Sequence, residues 1–414
     1  MEEIPVTARA TEPMARKAEP LNDGERIRIL HVITGLYVGG SEMMLSNLVK
    51  RHKASFAPMV VSLRETGPLG EDLIASGIPV ESLGMRRGRP SLRAIFRFRK
   101  ILRQFRPHLV QSWMYHANLF SLVGTGFGRS APLIWGIHHS NLRLGIDKPL
   151  TLLVGRACAL ASHFGPARIV CCSNSTFRGH RASGYAASRM LVIPNGFEIA
   201  TLDLETHSRL HSELGLPPKS RIVAHIGRFH PQKDHETFFR AAGIVARHRS
   251  DAHFVLCGAG VTWDNPQIVR MVEEAGLRGH VHLLGIRRDV TQILAASFLV
   301  ASSSCGEAFP MVVGEAMSVG RPCVVTDVGD CAEIVGDTGF VVSPKDPSGL
   351  AAAIIGLLSA SDEEVLRMGS TARQRIRENF ELDTIIGKYE ALYESVVQDW
   401  RAVTHPKADI CSIT

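Results

Sequence analysis

The sequence contains two consecutive series in which short apolar runs alternate with longer amphipathic segments. The first series starts at Arg28, and its apolar runs are RILHVITG, APMVVSL, HLVQSW, PLIWGIHH, ARIVCCS and MLVIPNG. The second starts at Arg221 with RIVAHIG and continues through HFVLCG, HVHLLG, SFLVASS, PCVVTDVG and GFVVSP. This alternation is typical of parallel strands covered by helices. The sequence therefore predicts an α/β protein with two Rossmann-like, doubly wound parallel-sheet domains that face a central cleft.

A polar stretch separates the two series and divides the chain into its predicted parts. The stretch comprises residues 202–220. We predict a first domain over residues 27–200, a second over 201–385, and a C-terminal helix with a loose end over 386–414. Residues 1–26 are polar and lack the apolar segment of a secretory signal, so we interpret them as a disordered tail.

Two further features bear on where such a chain works. No apolar run approaches the roughly 18 residues that a membrane-spanning helix needs. The eight cysteines are scattered, and none occurs in a C-x-x-C metal-binding spacing. We therefore expect reduced, buried cysteines and a cytoplasmic protein.

One segment concentrates the positive charge of the chain. Residues 85–108 contain nine Arg or Lys residues and no acidic residue. Apolar residues recur there at helical spacing and predict a basic amphipathic helix: Leu92, Ile95, Phe96, Ile101, Leu102 and Phe105. The helix is compatible with a core-packed element whose basic face is solvated, and with weak contact of Ser91–Phe105 with an anionic membrane. Nucleic acid is disfavoured as a partner, because only 6% of the residues are aromatic and no recognition motif is present.

Two loops have the residue types that bind phosphate. Gly39 and Gly40 lie between the first strand and the next helix, where free backbone N–H groups suit an anion. Their spacing matches neither the dinucleotide fingerprint nor the P-loop, and a tight strand-to-helix turn explains them equally well. Arg228 and Lys233 follow the first strand of the second series. Two cations at this place could bind a pyrophosphate, or they could simply be solvated on an exposed loop.

Two glutamates enclose an apolar heptapeptide in 307-EAFPMVVGE-315. On one helix, Glu307 and Glu315 would be about 12 Å apart. A glycosidase pair needs roughly 5–9.5 Å, so this spacing suits the two ends of an extended ligand better than hydrolysis. Carboxylates accept hydrogen bonds from vicinal hydroxyls, and the start of the helix between them suits a phosphate.

This spacing resembles the E-x7-E signature of the retaining glycosyltransferases of family 4. The segments VGGSE, VIPNGFE, GRFHPQKDHETFFRAA, HFVLCGAG and HVHLLGIRRDV resemble that family in order and spacing, and the resemblance extends from Arg28 to Val397. It implies the GT-B fold, with an acceptor-side first domain and a nucleotide-sugar-binding second domain. It implies no required metal and no cofactor other than the nucleoside-diphosphate sugar that serves as donor.

The resemblance also implies roles for individual residues. Glu307 contacts the transferred sugar and Glu315 the donor ribose. The segment between them lies on the sugar and diphosphate: Phe309, Pro310, Met311 and Val312. The diphosphate is bound by Arg228 and Lys233 and covered by Gly39 and Gly40, whereas the nucleobase is bordered by Gly285, Ile286 and Arg287. A histidine lies near the reacting centre, and of the doublet His138-His139 the first fits that position better.

The implied reaction transfers a sugar to an acceptor hydroxyl with retention of the anomeric configuration, in cell-surface polysaccharide or glycolipid synthesis. The expected acceptor is a sugar or a lipid-linked sugar, and the expected location is cytoplasmic, peripheral on the inner face of the membrane. Two alternatives remain open: a nucleotide-sugar epimerase of the same fold, and a catalytically silent nucleotide-sugar-binding protein. The joint presence of the two cations and two glutamates disfavours the silent protein.

Overall fold

The computed structural model describes residues 25–37, 39–89, 91–140, 142, 148–199 and 206–404. It contains two parallel sheets, one for each series of apolar runs. The seven-stranded first sheet has the order β3-β2-β1-β4-β5-β6-β7. Its strands are β1 (Ile27–Ile33), β2 (Phe56–Ser62), β3 (Val80–Ser82), β4 (Leu109–Trp113), β5 (Leu133–Ile137), β6 (Arg168–Cys171) and β7 (Met190–Val192). The predicted α/β class is therefore confirmed, and the predicted boundaries between domains stay predictions.

The second sheet has six strands in the order β10-β9-β8-β11-β12-β13. They are β8 (Arg221–Ile226), β9 (Ala252–Cys257), β10 (Val281–Leu283), β11 (Leu299–Ser302), β12 (Cys323–Thr326) and β13 (Phe340–Val342). In each sheet the strand order reverses beside the first strand, between β1 and β4 and between β8 and β11. Ligands of open α/β sheets bind at the carboxyl ends of the strands at such a reversal.

Helices cover both faces of each sheet, and apolar side chains fill the layers between them. The first domain contains α1 (Gly40–Arg51), α2 (Gly67–Ala75), α3 (Leu92–Phe105), α4 (Met114–Gly124), α5 (Pro149–Ala161) and α6 (Asn174–Ala182). The remaining helices are α7 (Thr206–Glu213), α8 (His235–His248), α9 (Pro266–Glu274), α10 (Val290–Ala296), α11 (Met311–Ser318), α12 (Cys331–Val335), α13 (Pro347–Ser359), α14 (Asp362–Asn379) and α15 (Leu382–Thr404). None of the described helices is both long and apolar enough to span a lipid bilayer.

The last helix returns from the second domain to the first. Phe197 N donates to Phe380 O and Leu382 N donates to Phe197 O, at 2.9 and 3.0 Å, where the chain crosses. Tyr389 and Tyr393 are fully buried against the core of the first sheet. The helix extends through Thr404, and residues 405–414 of the predicted loose end lie outside the described part of the chain.

Helix α3 forms where the sequence predicts it, but its buried face differs from the predicted stripe. Leu92 and Phe96 are 75% and 67% exposed, whereas Phe98, which the stripe omits, is fully buried. The side chains that face inward are Ala94, Phe98, Ile101 and Leu102. The most apolar set of residues is therefore not the buried set, because the position of the sheet decides which stripe of the helix is covered.

The cysteines are free thiols in the described part of the chain, and all but Cys305 are buried. Burial raises the pKa of the Cys158 and Cys172 thiols to about 12, so both are neutral at physiological pH. The predicted tail lies outside the described residues up to position 24, and Arg26 already donates to Phe56 O at the edge of β2.

Candidate active site

The two signature motifs of the second domain meet in one ion pair at the reversal of its sheet. Lys233 Nζ donates to Glu307 Oε1 at 2.5 Å, and Ser304 Oγ donates to the same oxygen at 2.7 Å. The two charged side chains are 22% and 13% exposed, so water screens the pair only partly. Lys233 follows β8 and Glu307 follows β11, so the contact joins the two loops where a ligand is expected.

Backbone contacts hold these two loops together. Ser303, fully buried, donates through Oγ to the carbonyl oxygens of Lys233 and Asp234, each at 2.9 Å. Asp234 has a left-handed backbone (φ 47°) and caps α8 through its carboxylate, which accepts from Thr237 N. These bonds fix the backbone at Lys233 and Asp234, from which the Lys233 side chain extends.

Two glycines are required by close backbone approaches at the site. Gly329 has φ 60°, and a Cβ there would lie 2.4 Å from Glu307 O, so no larger residue fits under the glutamate. At Gly258 a Cβ would lie 2.1 Å from Gly227 O, and Gly258 N donates to Gly285 O at 2.7 Å. The loop after β9 therefore packs between the loop that carries Arg228 and Lys233 and the loop that begins at Gly285.

Helix α11 carries the second glutamate. Its first residue is Met311, so the helix begins four residues after Glu307. Burial raises the pKa of Glu315, and the nearby positive charge of Lys233 opposes this shift. Lys233 thus acts on both glutamates, directly on Glu307 and through space on Glu315. Phe309 and Val312 are buried.

The glycine turn of the first domain lies against the start of α11. A Cβ on Gly40 would lie 3.5 Å from Met311 Cγ, which places the turn in contact with the second domain. Glu42, in the first turn of α1, accepts from Ser41 Oγ at 2.8 Å. Burial raises the pKa of Glu42, and the charge of Arg228 is among the effects that oppose the shift. The Glu42 carboxylate lies against the glycine turn, since a Cβ on Gly39 would be 2.5 Å from its Oε2; the sequence analysis assigned this glutamate no role although the VGGSE motif contains it.

The histidine doublet follows β5, and its two rings occupy different surroundings. The His138 ring is tilted by 30° against Trp113, with ring centroids 5.1 Å apart, and lies beside Asn195. Asn195 Nδ2 in turn contacts Met311 Sδ at 3.3 Å. Burial lowers the pKa of His138 to about 4, so its imidazole is neutral at physiological pH. His139 lies on the other side, 6.2 Å from the Tyr115 ring.

Asn195 is a second residue that the sequence analysis missed. It is 2% exposed and connects the His138 side of the first domain with the first residue of α11. Its Oδ1 accepts no hydrogen bond from the described residues. The VIPNGFE segment contains this asparagine, so the family motif includes the residue, but the sequence analysis assigned it no role.

The predicted nucleobase loop has one residue whose side chain is already engaged. Arg287 donates to both oxygens of Asp289, at 2.7 and 2.6 Å, and to Glu213, and these bonds raise its pKa. Its guanidinium is therefore held in an ion-pair network. Gly285 has a left-handed backbone (φ 63°) and Ile286 is 78% exposed. Gly285 is itself buried, and its N–H and C=O are bonded to Val261 O and Gly258 N, whereas the Ile286 side chain is open to a base.

The described residues contain no group of three or more His, Cys, Asp or Glu side chains that could hold a metal ion. The arrangement can bind a diphosphate through Lys233, Arg228 and the α11 N-terminus, and hydroxyl groups through the two glutamates.

Two family models match the chain. The model for Glycosyltransferase Family 4 matches residues 38–201, and the model for Glycosyl transferases group 1 matches residues 220–360. Together they cover both sheets apart from the first strand. The match has the order that the GT-B fold requires, with one model on each Rossmann-like domain.

Curated relatives match over part of their length. N-acetyl-alpha-D-glucosaminyl L-malate synthase of Bacillus anthracis is 33% identical over 195 residues, which are 46% of this chain and 50% of the relative. The UDP-Gal:alpha-D-GlcNAc-diphosphoundecaprenol alpha-1,3-galactosyltransferase of Escherichia coli is 28% identical over 216 residues, 50% of this chain and 55% of the relative. The chain thus spans about half the length of the curated relatives it matches.

Solved structures match over almost the whole chain. The crystal structure of Anabaena Alr3699/HepE in complex with UDP-glucose superposes with a TM-score of 0.77 at 22% identity, covering 89% of this chain and 99% of that chain. A glycosyltransferase from Rickettsia africae superposes with a TM-score of 0.77 at 18% identity, covering 90% and 99%. At these identities the likeness establishes the fold alone.

Proposed function

Because the chain belongs to glycosyltransferase family 4, we propose that it transfers a sugar from a nucleoside-diphosphate sugar to an acceptor hydroxyl with retention of the anomeric configuration. The observation that carries the proposal is the position of Lys233. It lies at the reversal of the second sheet, bonded to Glu307 and close enough to Glu315 to affect its pKa. A cation between two carboxylates suits a diphosphate with a hydroxyl-bearing group on either side.

In this proposal, binding of the donor breaks the ion pair between Lys233 and Glu307, and both side chains then contact the donor. A diphosphate beside Lys233 competes with Glu307 for the ammonium group, and Glu307 is then free to accept hydrogen bonds from the transferred sugar. Glu315 accepts from the ribose, and Gly285 and Ile286 border the base. Lys233, Arg228 and the α11 N-terminus stabilise the charge that develops on the leaving diphosphate.

Retention follows if acceptor and leaving group occupy the same face of the sugar. The bond from the anomeric carbon to the diphosphate breaks, the acceptor oxygen bonds to that carbon, and the acceptor proton passes to the departing phosphate. His138 is neutral at physiological pH, so it acts as a hydrogen-bonding partner of the sugar rather than as a cation. Gly39 and Gly40 cover the diphosphate from the first domain.

We further propose that the first domain contacts an anionic membrane on its cytoplasmic face, where a lipid-linked acceptor would lie. Between Ser82 and Phe197 the only acidic residue is Asp147, against 17 Lys and Arg residues. Leu92 and Phe96 of α3 are exposed among these cations, and Leu150 and Leu153 of α5 are 44% and 62% exposed. The Gly88 loop lies against Leu150, so the two helices share one surface.

This surface combines cations with exposed apolar side chains, which favours shallow, salt-sensitive binding to anionic lipid. Co-sedimentation with anionic and neutral vesicles tests it. We expect binding to anionic vesicles only, and loss of binding when Arg86, Arg87, Arg89 and Arg93 are replaced by Gln. A matched variant changes four exposed arginines of the second domain: Arg240, Arg247, Arg270 and Arg367. Equal binding to both vesicle types, or equal losses in the two variants, would contradict this proposal.

A donor screen tests the transfer itself. Thermal unfolding is measured with UDP, GDP and ADP, and one of them is expected to raise the midpoint, since saturation at 100 times Kd adds about 2.7 kcal/mol. Lys233→Ala should abolish the rise, whereas Arg247→Ala, on the exposed face of α8, should not. The matching nucleotide sugar is then incubated with and without acceptors. Stabilisation by none of the three contradicts the proposal, and an epimer formed from donor alone identifies the epimerase.

A further inference from the structure

One carboxylate of the second domain caps a helix of the first. Asp330 accepts from Asn174 N at 2.7 Å and from Ser175 N at 2.8 Å, the first two N–H groups of α6. The third N–H group of this helix, that of Thr176, donates to Ser173 Oγ, the ordinary cap within the first domain. The orphan donors at the start of α6 are therefore shared between the two domains.

Two side-chain bonds accompany this cap. Asn174 Nδ2 lies 2.7 and 2.8 Å from the two carboxylate oxygens of Glu333, and Ser175 Oγ donates to Ala308 O at 3.3 Å. We call these contacts of Asn174, Ser175, Asp330 and Glu333 the α6 clasp. Asp330 is 4% exposed, so its bonds are shielded from water and the positive end of the helix adds to them.

The clasp bears directly on the segment that holds Glu307. Ala308, which accepts from Ser175, is the next residue in the chain. Gly329, the neighbour of Asp330, lies against the Glu307 carbonyl so closely that a Cβ would be 2.4 Å from it. A shift of α6 relative to the second domain therefore acts on the backbone on both sides of this glutamate.

We propose that Asp330 is a positioning residue: by capping α6 across the cleft, it fixes the first domain against the Glu307 segment in the arrangement needed for transfer. This rests on the proposed function, because it concerns the same site. Opening the cleft breaks the bonds of a buried carboxylate and uncovers the helix N-terminus. The clasp therefore stabilises the closed arrangement and affects acceptor use more than binding of the nucleoside diphosphate to the second domain.

Two variants remove the clasp from opposite sides. Asp330→Ala deletes the carboxylate. Asn174→Pro deletes one backbone donor and the amide, and it suits the first helical position because Pro is favoured there and Ser173 is extended (φ −162°, ψ 160°). The matched control is Asp346→Ala, which removes a carboxylate cap within the second domain, where Asp346 accepts from Gly349 N.

We expect each clasp variant to lower kcat/KM for the acceptor about tenfold and to leave the nucleoside-diphosphate Kd within about twofold. The double variant should match the single ones, because both remove the same contact. The control should keep the acceptor kcat/KM of the wild type. A loss that only follows the fraction of folded protein, or an additive double variant, would overturn the positioning role.

Amide hydrogen exchange tests the clasp without any turnover, so its outcome is separate from that of the proposed function. In the full chain, the amides of Asn174 and Ser175 should exchange at least tenfold faster in Asp330→Ala than in the wild type or in Asp346→Ala. Unchanged exchange at both amides would refute the clasp even if transfer is demonstrated. Faster exchange would support it even if no donor is found.

Discussion

Replacing Glu307 by Gln separates the two roles that the ion pair combines. The substitution keeps the size of the side chain and a carbonyl oxygen that can still accept from Lys233 and Ser304, but it removes the charge. Lys233 then lacks its counter-ion in the free protein. We expect the affinity for the nucleoside diphosphate to be unchanged or higher, because the diphosphate no longer competes with a carboxylate for the ammonium group.

The same substitution should lower turnover strongly. Hydrogen bonds to a charged group contribute about 1.5–3 kcal/mol each, and Glu307 is proposed to bind the sugar hydroxyls through such bonds. Losing one or two of them reduces kcat by on the order of 10²–10³. Folding should be nearly unaffected, since a single, partly screened ion pair is lost and a neutral hydrogen bond replaces it.

The assay compares three variants by nucleoside-diphosphate titration, turnover and thermal midpoint. Lys233→Ala should lose both binding and turnover, and Glu307→Gln should lose turnover alone. Glu236→Gln, which changes a solvent-exposed carboxylate on α8, should lose neither. Turnover of Glu307→Gln within about threefold of the wild type would refute the assignment of this glutamate to the sugar. Loss of diphosphate binding in the same variant would refute the proposed exchange of partners.

Three further expectations concern metal, packing and pH. Transfer should persist in EDTA, because the diphosphate is neutralised by Arg228, Lys233 and the α11 N-terminus; activity that vanishes and returns with Mg²⁺ would contradict this. Gly314→Ala should lower the thermal midpoint, since a Cβ there would lie 2.0 Å from the Phe197 ring and overpacking costs about 1–3 kcal/mol, whereas Gly356→Ala, with open space around it, should not. Burial lowers the pKa of His138 and of His180 to about 4. Between pH 6.5 and 4 the unfolded chain therefore binds more protons than the folded protein. Each histidine then lowers the free energy of unfolding by up to about 1.4 kcal/mol per pH unit on acidification. Urea unfolding of His180→Gln should show a shallower decline over that range, and an unchanged slope would contradict the burial argument.

Local patterns in the sequence predict much of the fold. Of the thirteen strands in the described part of the chain, twelve lie in the apolar runs that the sequence analysis identified. The missing one, β3, has three residues, none of them buried, at the edge of the first sheet. A short edge strand with an exposed middle residue has no apolar run to identify it, and it forms because β2 offers free backbone partners.

Relations between distant segments were not accessible in the same way. The buried face of α3 depends on where the sheet lies, so the stripe containing Phe96 was chosen over the one containing Phe98. The return of α15 to the first domain and the cap of α6 by Asp330 join residues more than 150 positions apart. The local sequence pattern around each partner is the same with or without such a contact, so the pattern cannot predict it.

The candidate site likewise contains residues that sequence motifs predict and residues that only the structure reveals. The sequence motifs identify Lys233, Glu307 and Glu315, since each lies in a short segment with a recognisable spacing. Glu42 and Asn195 are recognised only from their surroundings, because Glu42 lies against Gly39 and Asn195 contacts Met311 of the other domain. Arg287, which the resemblance places beside the nucleobase, is held by Asp289 and Glu213.

The most direct test of the central claim is the fate of the donor that the screen identifies. Proton NMR of donor incubated with the protein, with water or an added sugar as acceptor, follows the anomeric signal and the released nucleoside diphosphate together. We predict that release matches the new sugar product one to one, that the first product has the anomeric configuration of the donor, and that Glu307→Gln abolishes both signals. A product of inverted configuration, or an altered sugar that stays attached to the diphosphate, would contradict the account.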